Sequence, residues 1–86
     1  IVTKLNSSAE KLISESILRL EKRNNWLTNS IEDFQKELPK HESFPTSKDM
    51  LTSYIGIYQN EINFNMGILQ LLSNADEILL RYDIEN

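Results

Sequence analysis

Residues 50–82, MLTSYIGIYQNEINFNMGILQLLSNADEILLRY, carry two apolar rows side by side when set on a helix of 3.6 residues per turn. The first row is Leu51, Ile55, Tyr58, Ile62, Leu69, Leu72 and Leu79. The second is Met50, Tyr54, Ile57, Phe64, Ile68, Leu71, Ala75, Ile78 and Tyr82. Each follows the alternating three- and four-residue steps of a heptad seam, so together they take up nearly half the helix surface. A single neighbouring helix covers one such row and leaves the other bare. The remainder of the chain holds only one further long helical pattern. This arithmetic asks for a partner.

That other pattern fills residues 1–38, which contain neither glycine nor proline. Val2, Leu5, Ala9 and Ile13 lead into Ile17, Leu20, Leu27, Ile31, Phe34 and Leu38. From Ile13 onward the steps alternate four and three once Asn24 is counted as a seam position. The consecutive four-residue steps from Leu5 to Ile17 amount to a stutter, which locally unwinds a supercoil. Ser7 and Glu10 have capping-box spacing, so an ordered helix that begins only there is one reading. Glu15–Arg19 and Glu32–Lys36 are correctly oriented pairs four residues apart, each worth about 0.2–0.5 kcal/mol on an exposed helix.

Two architectures follow. A break at Asn24-Asn25 or across residues 28–30, with Ser30 and Asp33 capping the second piece, gives a compact three-helix bundle, since Asn and Ser are poor interior residues. A continuous helix is favoured instead, because the seam stays in phase with no residue inserted for a turn. Pro39 ends it, and residues 40–45 form the turn. Pro45, Thr46, Ser47, Lys48 and Asp49 read as a second helix start, with Thr46 as the cap and Asp49 near the positive end of the dipole. The expectation is an all-α, antiparallel helical hairpin, coiled-coil-like, with helices over about 3–38 and 47–83 and a turn over 39–46. It would complete a helical bundle with a partner or a second copy. Residues 1–86 make one helical domain, near the size where a single core is marginal. Opening on Ile1 rather than methionine, the chain reads as a fragment of a longer protein.

Composition narrows the function classes. The net charge of −4 resides in residues 47–86, where Lys48 and Arg81 stand against Asp49, Glu61, Asp76, Glu77, Asp83 and Glu85. An acidic helix repels phosphate backbones and anionic lipid, so neither nucleic acid nor direct membrane binding is expected. There is no cysteine, hence no thiolate chemistry and no sign of an oxidising compartment. No apolar run is long enough to span a bilayer, so an intracellular location, cytoplasmic or nuclear, is expected. Without a secretory signal the Asn6-Ser7-Ser8 sequon is expected to carry little weight.

Catalysis finds no support. His41 is the single histidine, sits in the turn, and has no thiol to activate or recognisable elbow beside a serine. The acidic pairs Asp76-Glu77 and Asp83/Glu85 look like solvated face rather than metal ligands, and no glycine-rich phosphate loop exists. Neither enzymatic activity, a small-molecule substrate nor a cofactor is expected.

Contact residues are another matter. Trp26 lies about a third of a turn off the first helix's seam, in a row with Leu12, Arg19, Arg23, Ser30 and Asp33. It reads either as a cation–π partner of the arginines or, preferably, as an anchor at a protein interface. With it, Met50, Tyr54, Ile57, Phe64, Ile68, Leu71, Ile78 and Tyr82 form the expected partner-binding surface. Asn24 and Asn65 fall on seam positions, where a buried Asn fixes register and oligomer state; the plain alternative is a seam that is wet there. Glu61 and Asp76 interrupt the rows in the same way. Gly56 and Gly67 lie on one face with Asn60, Asn63, Gln70 and Asn74, which is either solvent face or a place where another backbone comes close. Phe44 either plugs the turn or protrudes from it.

The function expected is therefore a non-enzymatic structural and interaction module, a subunit or oligomerisation domain whose partner is a protein, either another copy or a helical subunit. Its outline is similar to helical-hairpin subunits of nuclear-pore, vesicle-tethering and endosomal-sorting assemblies, a likeness of shape without a motif. An uninterrupted SNARE-like coiled coil is disfavoured by the Pro39 and Pro45 interruption. A three-helix module binding a peptide or client helix is the alternative.

Overall fold

The computed structural model describes the backbone of residues 2–85 and the side chains of residues 8–75. Two long helices, α1 (Val2–Glu37) and α2 (Pro45–Glu85), pack against each other, joined by a 3₁₀ turn over Leu38–His41 and a three-residue link. The rod measures 65 × 15 × 14 Å, and its radius of gyration is 19.2 Å against roughly 12 Å for a compact chain of this length. Among the described residues there is no strand and no pocket.

The two seams meet as the heptad steps require. Leu27 and Ile31 of α1 are buried, and Ile13, Ile17, Leu20 and Phe34 half-buried. Opposite them the first row of α2, from Leu51 to Leu72, is half-buried throughout; Leu79 lies outside the described side chains. Asn65, at 6% exposure, donates its amide Nδ2–H to Asn24 Oδ1 at 3.0 Å. That pair sets the level of the antiparallel helices. Counting outward from it puts Leu27 level with Ile62, Ile31 with Tyr58, Leu20 with Leu69 and Leu38 with Leu51.

Several sequence expectations are corrected. Residues 24–30 lie inside unbroken α1, so the three-helix bundle does not form. In-phase seam burial on both sides of Asn25 outweighs the weak propensity of Asn and Ser. Helix α1 already runs through Ser7 from Val2, so Ser7 does not start it. At the other end, α2 begins at Pro45 rather than near 47. Proline's fixed φ suits the first helical position, and the Lys48 N–H reaches the Phe44 carbonyl at 3.0 Å as the first helical bond. Thr46 is therefore inside the helix, and Asp49 lies beyond its first turn. The link is tightened by Phe44 N–H donating to the His41 carbonyl at 2.9 Å, and the Phe44 side chain protrudes.

On the surface, Glu15–Arg19 and Glu32–Lys36 are not among the ion pairs of the described residues. An exposed pair worth tenths of a kcal/mol barely repays the side-chain order it needs. Gly56 and Gly67 meet nothing: a Cβ built on either finds no atom within 4 Å. Within one hairpin the reading of close backbone approach therefore has no approaching backbone. Gly56→Ala and Gly67→Ala should each stabilise the helix by about 1 kcal/mol, seen as a higher denaturation midpoint in urea. A loss of stability at either position would mean that something packs there after all.

Candidate interaction face

The second apolar row of α2 lies about a quarter turn from its seam, on the same side of the hairpin as the Trp26 row of α1. A side-chain contact establishes this. Arg23 of the Trp26 row reaches Glu61, which stands in the second row, with Nε donating to Oε2 at 2.6 Å and Nη2 to Oε1 at 3.1 Å. The paired geometry holds the Glu61 carboxyl below its ordinary range, chiefly through the Arg23 hydrogen bonds, with the Asn65 amide adding a smaller share. The same contact holds the Arg23 guanidinium above its usual value.

Around this ion pair the aromatic residues form a chain. The Arg23 guanidinium carbon sits 4.7 Å from the Trp26 ring centroid, a cation–π distance. Trp26 meets Tyr58 at 5.7 Å, Tyr58 meets Phe34 at 5.6 Å, and Phe34 stacks on Tyr54 at 5.9 Å. Offset and tilted pairs at such distances contribute about 0.5–1.5 kcal/mol each beyond their buried area. Trp26 thus meets the cation–π expectation by pairing with Arg23, contacts Tyr58 of α2, and remains 50% exposed.

Along α2, Met50, Tyr54, Ile57, Phe64 and Leu71 are 45–69% exposed, while Ile68 and Ala75 are half-buried. Ile78 and Tyr82, and the interrupting Asp76 with Glu77, Asp83 and Glu85, fall outside the described side chains. Leu12 adds a further exposed apolar side chain on α1. Across the hairpin the other broad face is mostly polar, with Ser14, Glu21, Asn25, Thr28, Gln59, Asn63 and Gln70 exposed and Leu18 and Met66 as apolar exceptions. The molecule has two unlike sides.

Other candidates stay apart from this face. His41 is half-buried in the 3₁₀ turn, its Nε2 3.6 Å from Glu37 Oε2, and Lys40 Nζ donates to Glu37 Oε1 at 3.2 Å. The Lys40 hydrogen bond is the main reason the Glu37 carboxyl lies below its ordinary range. Among the described residues no group of three metal-ligating side chains occurs, and no helix is long and apolar enough to cross a membrane. No protein-family model, curated protein or solved structure matches the chain.

Sequence reading missed Tyr58 as a neighbour of Trp26, and it missed the Arg23–Glu61 pair. Both contacts run between the helices, five residues off the level that the Asn24–Asn65 pair sets, and spacing along one helix does not show them.

The lowered Glu61 pKa has a definite sign. A carboxyl held below its ordinary value of 4.5 contributes stability that is complete above that value and lost as pH falls through the folded one. Glu61→Gln should therefore melt below the native chain at about pH 7, with the gap closing under acid, as followed by circular dichroism. A gap independent of pH would show that the ion pair does not link folding to protonation. Glu37 titrates in the same direction and leaves an acid dependence common to both proteins.

Proposed function

We propose that this chain is a non-enzymatic structural and protein–protein interaction module, a helical-hairpin subunit or oligomerisation domain that lends the second row of α2 to a larger helical assembly. The observation that carries the reading is the row itself: five large apolar side chains in heptad order, each about half exposed or more. Scattered apolar residues on a surface need no explanation, but a line of this kind, interrupted by the paired Glu61 and the half-buried Ile68, does. Surface area points the same way. The chain exposes 6737 Å², whereas a compact folded protein of 10.0 kDa exposes roughly 5,200 Å². The surplus of roughly 1,500 Å² exceeds the ~800 Å² that each partner gives to an interface of standard size. Covering the row with further helices makes a bundle with an ordinary core. Scaffolding, tethering, trafficking and nuclear-pore assemblies use hairpins of this outline.

Two methionines supply the test. Met50 belongs to the row and is 54% exposed; Met66 is 59% exposed and points to the opposite broad face. Brief peroxide oxidation, read by mass spectrometry, is compared between the dilute purified chain and the same protein in its native extract. Both methionines should react alike in the purified chain, and Met50 several-fold more slowly than Met66 in the extract. Equal rates in the extract overturn the proposal.

A further inference from the structure

We propose that the hairpin is built in two parts of unequal strength. Beyond the Asn24–Asn65 pair, residues 8–20 of α1 and 69–75 of α2 part from each other while the half beside the corner stays closed. The contacts between the helices divide unevenly at that pair. Counting from it, four apolar levels lie on the corner side: Leu27 with Ile62, Ile31 with Tyr58, Phe34 with Ile55 and Leu38 with Leu51. Leu27 and Ile31, the buried apolar side chains, are both among them. So are the ring contacts Trp26–Tyr58, Phe34–Tyr58 and Phe34–Tyr54, each of which joins α1 to α2. Arg23 and Glu61 bridge the helices close to the pair itself.

On the far side the apolar levels are Leu20 with Leu69 and Ile17 with Leu72, and all four side chains are half-buried. Among the described residues no ring contact, ion pair or side-chain hydrogen bond joins the helices there. The sequence explains the difference. Before Ile17 and Ile13 the next regular seam step is Glu10, and apolar Ala9 stands one place off it. In α2 the step after Leu72 is Asp76, which the count sets level with Ile13. Asp76 enters by its position in the sequence alone. An acid thus takes a seam position in each helix, and no basic residue takes one beside them. A carboxylate without a partner keeps its water, so an apolar line does not close over it.

Native proteins open locally in units, and the free energy of each opening follows the contacts it breaks. Parting two half-buried levels breaks far less than parting four that hold the buried side chains and the rings. The corner half also closes the shorter loops. Opening changes the surface of α2: Leu69 and Leu72 join the half-buried Ile68 and the exposed Leu71, and the apolar strip offered there widens. The inference concerns the hairpin by itself and stands or falls apart from the interaction reading above.

The test is amide hydrogen exchange of the 86-residue chain, followed residue by residue by NMR in low concentrations of urea. Amides of residues 13–20 and 69–75 should exchange as one group, at least about tenfold faster than those of 27–34 and 55–62. That group should share one urea dependence, smaller than that of the corner half, because its opening exposes less surface. Fraying of single helices gives a gradual slope instead, so protection that climbs evenly from the free ends to the corner overturns the proposal. Uniform protection overturns it too. Ile31→Val, a mild change that keeps the fold, loosens the corner half alone. It should speed exchange there about threefold to tenfold and leave the far group within about twofold, whereas equal acceleration in both halves means one cooperative unit. Glu10→Leu with Asp76→Leu removes both acids and should slow the far group about tenfold; an unchanged rate there overturns the part given to the acids.

Discussion

Two helices that meet as a pair share a single line of contact, and each can turn only one strip of its surface into that line. Helix α1 nearly matches this limit, with one apolar strip and, off it, Leu12, Leu18 and Trp26 as the exposed large apolar side chains among the described residues. Helix α2 exceeds it, since its apolar side chains cover two adjoining strips. The interior is accordingly thin: Leu27 and Ile31 are the buried apolar side chains among the described residues, and most of the seam is half-buried. An 86-residue chain folded as a rod cannot do otherwise, because a cylinder two helices wide has almost no inside.

Within that thin line, the Asn24–Asn65 hydrogen bond does what apolar contacts cannot. Leucines and isoleucines at seam positions tolerate a slide of one heptad, because one apolar side chain replaces another. A slide of the same size would strand two amides in apolar surroundings, at a cost of about 1–3 kcal/mol for each unsatisfied group. The consequence extends outward. Asn65 adds a small share to what holds the Glu61 carboxyl ionised, Glu61 holds Arg23, and Arg23 lies over the Trp26 ring. Polar alignment in the seam thereby determines where the largest side chain of the outer face stands.

Much of this was legible in the residues alone. The heptad steps of both helices, the continuity of α1 and the surplus row of α2 are periodic patterns, and periodicity survives without knowledge of neighbours. What escaped was local competition. At Pro45 a preset φ won over the hydroxyl of Thr46, and the two motifs are one residue apart. Surface charges were misread in the opposite sense: Glu15 and Glu32 have ideal spacing to a cation, yet neither is in an ion pair, while one pair forms between the two helices, from Arg23 to Glu61. Spacing along one helix is visible in a sequence, whereas the level of one helix against another is visible only after two seam residues are known to touch.

The antiparallel arrangement also orders the assembly of the hairpin in time. Leu38 and Leu51, which lie level beside the proline-bounded turn, are thirteen residues apart in sequence, while Ile17 and Leu72 are fifty-five apart. Closing the long loop directly from an unfolded chain carries the full entropic cost of its length. Closing it after every nearer pair has formed requires ordering only one more turn of each helix. Beside the 3₁₀ corner at Leu38–His41 the inter-helix pairs therefore close the shortest loops, and each pair further along the hairpin lengthens the loop in small steps. Asn24 and Asn65 lie midway along this route, so a misaligned chain is detected when half the helices are still free to part.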